Sequence, residues 1–187
     1  FLLPIIFPLL IGLRIIKPFF VIRLGNLESE GIGHFSQPVE IYLSELDCGF
    51  HKNKVKTIDV WYLNKKICNQ FLLSKWKESI FIAPRIIRFL HLLNNIIPGG
   101  QANEIPYRRS FGDRKVPGDM PWQMTDCHRV LERTKPHIKF SAEERQNCSN
   151  LLLQKGFDIN NKYVCINVRD GAFHQSSGVD SHRNSSI

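Results

Sequence analysis

Arg169 and Asp170 stand side by side after the apolar run Tyr163–Val168, and His182, Arg183 and Asn184 follow a short distance on. A guanidinium at the end of a buried strand can fork onto a diphosphate through two parallel hydrogen bonds, while a neighbouring carboxylate holds it or a ribose hydroxyl. The same spacing fits a plain Arg–Asp ion pair. A second position of interest is Gly31-Ile32-Gly33-His34. Two glycines there let the backbone approach a ligand closely, and the start of a helix offers free amides to an anion. A tight connecting turn would use the same residues.

Other constellations carry less. The five cysteines, Cys48, Cys68, Cys127, Cys148 and Cys165, are odd in number and far apart, with no C-x-x-C pair. This argues against a disulfide framework or a zinc site and for the reduced thiols of a cytosolic protein. Cys127 and His128 are neighbours, but adjacent side chains on a helix point apart, which disfavours a ligand pair or a nucleophile with its base. No carboxylate cluster suggests a metal. The net charge of +8 favours anionic partners: sugar nucleotides, anionic lipid or nucleic acid. Nucleic acid is the weakest of these, because the aromatic residues sit in apolar runs rather than between the basic ones.

The elements that would position these residues alternate between short apolar runs and segments of helical period, the βαβ pattern of an α/β protein with a parallel sheet. Phe19–Ile22 reads as a strand, followed by a helix on Val39, Tyr42, Leu43 and Leu46. Thr57–Leu63 reads as the second strand, followed by a helix with Cys68, Phe71, Leu72 and Trp76 on one face. Ile80–Ala83 reads as a third, followed by a helix on Ile86, Phe89, Leu90 and Leu93 that Pro98-Gly99-Gly100 stops. Residues 98–121 form a proline-rich loop carrying Arg108, Arg109, Arg114 and Lys115, either a solvated connector or a cleft-lining loop that meets an anion. Ser141-Ala142-Glu143-Glu144 predicts a capping box, with Cys148, Leu151 and Leu152 on one face behind it and Gly156 at the helix end. Tyr163–Val168 reads as a strand buried on both faces. Since ligands of open α/β sheets gather beyond the carboxyl ends of the strands, the polar residues just after each strand are the ones to watch.

Residues 1–22 are apolar but interrupted by Pro4, Pro8, Arg14 and Lys17. As a helix, the run Phe1–Leu13 would be roughly 20 Å long, short of the ~30 Å hydrocarbon core. Its charges follow the apolar run, whereas a signal peptide has them in front. The apolar segment 1–18 reads either as a membrane-edge anchor, spanning if upstream residues lengthen it, or as a buried helix or strand, and residues 1–22 are expected to be separable from the fold because regular βα alternation begins only at Phe19.

At this point the sequence resembles a known family. The strings IGHF (Ile32–Phe35), ICNQFLLSKWK (Ile67–Lys77), IPGG (Ile97–Gly100), VCINVRD (Val164–Asp170) and HRNSSI (His182–Ile187) occur in order with suitable gaps. Together they resemble a family of bacterial glycosyltransferases found with surface-polysaccharide genes. The resemblance implies a GT-B-like enzyme with two Rossmann-like domains, the donor nucleotide sugar in the second and a polysaccharide or glycan acceptor held largely by the first. This chain would then hold the acceptor domain over residues 19–158 and the truncated start of the donor domain over 159–187. The V-R-D strand is similar to the phosphate-contacting segment of fucosyltransferase-like enzymes, which implies that Arg169 meets the donor diphosphate; from their positions, Arg183 is expected to share that charge and Asp170 and Asn184 to bind substrate beside them. Gly33 would contact substrate and His34 would serve as base for the acceptor hydroxyl. No metal or cofactor is implied beyond the nucleotide sugar. The expected location is cytoplasmic, peripheral to or anchored at the inner membrane. Gly31 stands where the family has Arg, Ser186 where it has an acid, and Asp180-Ser181 where it more often has His and Asp. These departures leave room for a non-enzymatic, membrane-associated scaffold or assembly protein derived from the same fold.

Overall fold

A computed structural model describes residues 3–106, 126–158 and 160–164. The chain divides into two compact units, Phe1–Lys139 and Phe140–Ile187. Among the described residues it is a mixed α/β protein with a small parallel sheet and five α-helices.

In the first unit, β1 (Phe20–Leu27) and β2 (Lys56–Leu63) pair in parallel from Phe20↔Lys56 to Leu27↔Leu63. β1 runs well past the expected Phe19–Ile22, through Arg23, a charge that reads in sequence as a strand end. Arg23 stays inside because its register partner is Asp59. Its Nε–H donates to Asp59 Oδ1 at 2.6 Å, and Nη2–H donates to Oδ2 at 2.8 Å and to the Tyr42 hydroxyl at 2.5 Å. A paired, hydrogen-bonded charge can remain buried where a lone one cannot.

The third strand expected over Ile80–Ala83 is reduced to one parallel bridge, Ile82 to Trp61. Trp61 N–H donates to Phe81 O at 3.0 Å and Ala83 N–H to Trp61 O at 2.8 Å, so the pairing closes after a single residue. A second bridge joins Glu104 to Leu24, with Ile105 N–H donating to Leu24 O at 3.0 Å. The N–H and C=O of one strand residue point to the same side. The lateral order is therefore the Ile82 segment, β2, β1, the Glu104 segment. The chain moves outward from β1 in one direction and then returns to its other side.

Side chains alternate across the sheet, and each face is covered by helices. One face meets α2 (Ile32–Asp47) and α3 (Gln70–Ser79), where Phe35, Val39 and Tyr42 of α2 and Leu73 and Trp76 of α3 close on Leu27 and Trp61. The indole N–H of Trp76 donates to Phe35 O at 2.7 Å. Asn69 caps α3 by accepting from Leu72 N–H at 2.9 Å. The other face meets α1 (Leu3–Ile16) and α4 (Ile87–Ile96), where Ile6, Leu10, Leu13 and Leu90 pack on Leu24. Residues 1–18, set apart in the sequence as an apolar segment, thus supply a core-forming helix. Arg14, which reads as the end of the apolar run, clamps α1 to the end of α4. It donates to Asn94 Oδ1 at 3.1 Å, Asn103 Oδ1 at 2.6 Å and Gly99 O at 3.2 Å.

In the second unit, α5 (Ala142–Gln154) has the expected capping box. Glu144 N–H donates to Ser141 Oγ at 3.0 Å, and Ser141 N–H donates to Glu144 Oε2 at 2.7 Å. Gly156, at φ +83, ends the helix, and Phe157 N–H reaches back to Leu152 O at 3.0 Å. Of the strand expected over Tyr163–Val168, Tyr163 and Val164 are exposed and form no strand, so the expected burial on both faces does not hold for them, and the part from Cys165 onward lies outside the described residues.

Candidate functional site

At the carboxyl end of the sheet, on the side covered by α4, lies a cavity of about 240 Å³. Its floor comes from strand ends: Gly25 and Asn26 of β1, Tyr62 of β2, and Asn64 just after β2. Its walls come from Arg88, His91 and Asn95 of α4 and from Glu104 and Ile105. Asn26 and Tyr62 are register partners, so their side chains leave the sheet together on one face. Arg88, His91 and Asn95 recur at i, i+3 and i+7, which puts them on one stripe of α4 above those strand ends. Leu90 and Leu93 fix the orientation of the helix by packing against the sheet-side core.

The groups around the cavity suit a polyhydroxylated ligand. The side-chain amides of Asn26, Asn64 and Asn95 and the carboxylate of Glu104 border the cavity, and the exposed Arg88 adds a positive charge at the rim. His91 is 8% exposed and sits 3.0 Å from the Tyr62 hydroxyl through its Nδ1. That contact and the edge-on packing of the two rings hold both side chains in place.

The Gly25 position sets the shape of the floor. A Cβ built there would lie 2.8 Å from Ile105 Cδ1 and 3.1 Å from Ile105 Cβ. Only a glycine lets the Ile105 side chain settle this close to β1.

Gly33 and His34 lie in the first turn of α2, both half-buried, and neither lines this cavity. The N-cap is Gly31, whose backbone is extended at φ −123 and ψ 132 and open to any residue. A Cβ there would meet His34 Nδ1 at an ordinary 3.5 Å. Arg169, Asp170, Arg183 and Asn184 lie outside the described residues, as do Arg108, Arg109, Arg114 and Lys115. Cys127 is exposed, and its neighbour His128 stacks on Phe50 with ring centroids 4.5 Å apart. Among the described residues, no group of His, Cys, Asp and Glu is arranged to hold a metal ion.

Sequence reasoning passed over most of the cavity. Asn64 was findable, because it directly follows the second strand. The polar stripe of α4 was hidden by the stronger apolar period of the same helix, and Glu104 by the lack of any strand signal around it. Comparison with protein-family models, curated proteins and solved structures finds no match.

Proposed function

We propose that this chain is part of a GT-B-like glycosyltransferase that moves a sugar from a nucleotide-sugar donor to a glycan acceptor, and that the cavity above β1 and β2 receives a sugar ring of the acceptor. The observation that carries this reading is the position of the cavity. It lies at the carboxyl ends of parallel strands, where the lateral order reverses between β1 and the Glu104 segment. Ligands of doubly wound α/β folds bind at that kind of switch point, and a Rossmann-like first domain would place it here. The five ordered strings of the family resemblance support the same conclusion independently.

The size fits a division of labour. About 240 Å³ falls just below the roughly 300–1,000 Å³ of drug-sized sites, enough for one ring and not for a whole nucleotide sugar. In the reaction, an acceptor hydroxyl oxygen bonds to the anomeric carbon, the bond from that carbon to the diphosphate breaks, and the hydroxyl proton passes to a base. Arg169 and Arg183, with Asp170 and Asn184, are proposed to hold the departing nucleoside diphosphate. Glu104 and His91 are the cavity groups able to take the proton, while His34, beside Gly33 in the first turn of α2, would serve as base only for an acceptor hydroxyl held outside the cavity.

Titration of the chain with a panel of hexoses, 6-deoxyhexoses, N-acetylhexosamines and hexuronates, followed by NMR, tests the assignment. At least one class should shift the resonances of Asn26, Asn95 and Glu104 saturably. Glu104→Gln removes a charged acceptor and should weaken that binding about 10-fold or more. A panel in which no sugar perturbs these residues would remove the cavity from the acceptor site.

A further inference from the structure

The outer side of the α1 and α4 layer carries apolar side chains that the core does not use. On α1, Ile6, Leu10 and Leu13 face the sheet, while Phe7, Ile11 and Ile15 recur every fourth residue on another side and are 60%, 46% and 66% exposed. On α4, Leu90 faces the sheet, while Phe89 and Ile96 are 50% and 77% exposed. Phe19, just after α1, is 76% exposed. The two helices are fastened to each other through Arg14, so these residues belong to one rigid layer. So many exposed large apolar side chains on one helical layer are uncommon on a protein surface without a partner.

The charges around it select the partner. Lys17, Arg85 and Arg88 are all exposed, and neither residues 1–22 nor residues 84–97 contain an Asp or Glu. A second copy of the chain would bring these cations against one another with no acid to pair them. An anionic bilayer offers both an apolar acyl boundary and negative headgroups. No helix among the described residues is long and apolar enough to cross a membrane, and α1 spends its other side on the core.

We infer that the outer face of α1 and α4 docks in the plane of an anionic lipid surface, with Phe7, Ile11, Ile15, Phe89 and Ile96 at the acyl boundary and Lys17 and Arg85 at the headgroups. This inference stands independently of the transferase reading. Docking would lay α4 against the lipid while its polar stripe, Arg88, His91 and Asn95, still faces the cavity.

Co-sedimentation of the full chain with phosphatidylcholine vesicles, with and without phosphatidylglycerol, tests it. Binding should require phosphatidylglycerol and weaken as salt is added. Lys17→Glu with Arg85→Glu should lower the partition coefficient by at least about fivefold for each cation removed. Phe89→Ser with Ile96→Ser should lower it about tenfold or more at unchanged melting temperature, since both side chains lie outside the core. The inference falls if the chain does not bind anionic vesicles, or if both double variants bind as the parent does. It also falls if the chain forms a concentration-dependent dimer that Phe89→Ser with Ile96→Ser abolishes while vesicle binding persists.

Discussion

Gly100 has no room for a side chain. A Cβ there would lie 1.8 Å from the Asn94 carbonyl oxygen, a backbone atom that cannot swing aside. Gly99 is needed for a different reason, its φ of +77, and has open space around it. Gly99→Ala should therefore cost about 1 kcal/mol, and Gly100→Ala more, about 3 kcal/mol. Urea denaturation of the two variants separates the causes, and equal costs would contradict them. A second residue-scale case is Tyr42, buried between Arg23 and Asp59. Burial first, and then the Asp59 carboxylate, raise the pKa of its hydroxyl well above the ordinary tyrosine value. A raised pKa means that the folded state keeps its proton after the unfolded chain has begun to lose it. The stabilising contribution is complete below about pH 10 and declines as pH rises above that. Stability measured by denaturant from pH 8 upward should fall on the alkaline side, and Tyr42→Phe should flatten that fall. An identical alkaline slope in both proteins would exclude Tyr42 as its source.

At the scale of elements, α1 is the test of what belongs to the core. Leu10 is 3% exposed and packs with Leu24 and Leu90. Leu10→Ala should destabilise the first unit by about 2–5 kcal/mol, and a melting temperature unchanged by this substitution would show that α1 is detachable. The sequence already contained helices α2 through α4 and the capping box of α5, but not all of their buried faces: Cys68, Phe71, Ile86 and Phe89, expected on apolar faces, are exposed. The start and stop signals of these helices are local: Asn69, Ser141 and the Pro98–Gly100 turn act within a few residues. Contacts between distant residues were not legible. Arg23 reads as a strand end until Asp59 is known to lie beside it, and Arg14 reads as a membrane-edge charge until Asn94 and Asn103 are seen to receive it. The same gap explains the site. Asn64 and Glu104 are 40 residues apart and meet only because the Glu104 segment returns to the free edge of β1. No local pattern announces a pairing made by a single bridge.

At the scale of the whole molecule, the functional reading depends on that return. If the Glu104 segment did not lie alongside β1, the lateral order would not reverse there and the cavity would lose one wall. The contact of Gly25 with Ile105 provides a direct probe. Gly25→Ala places a methyl group 2.8 Å from Ile105 Cδ1, and the overlap should cost about 1–3 kcal/mol. Ile105→Val removes that Cδ1 and, in a side chain only 1% exposed, should cost about 0.5–1.5 kcal/mol by itself. Combined, the two changes should destabilise by less than the sum of the single effects, because the valine lacks the Cδ1 that makes the closest contact with the alanine methyl. A coupling of at least about 0.5 kcal/mol is expected from a urea-denaturation cycle of the four proteins. Strict additivity would place Ile105 away from β1, which would remove both the switch point and the cavity wall on which the proposed acceptor site rests.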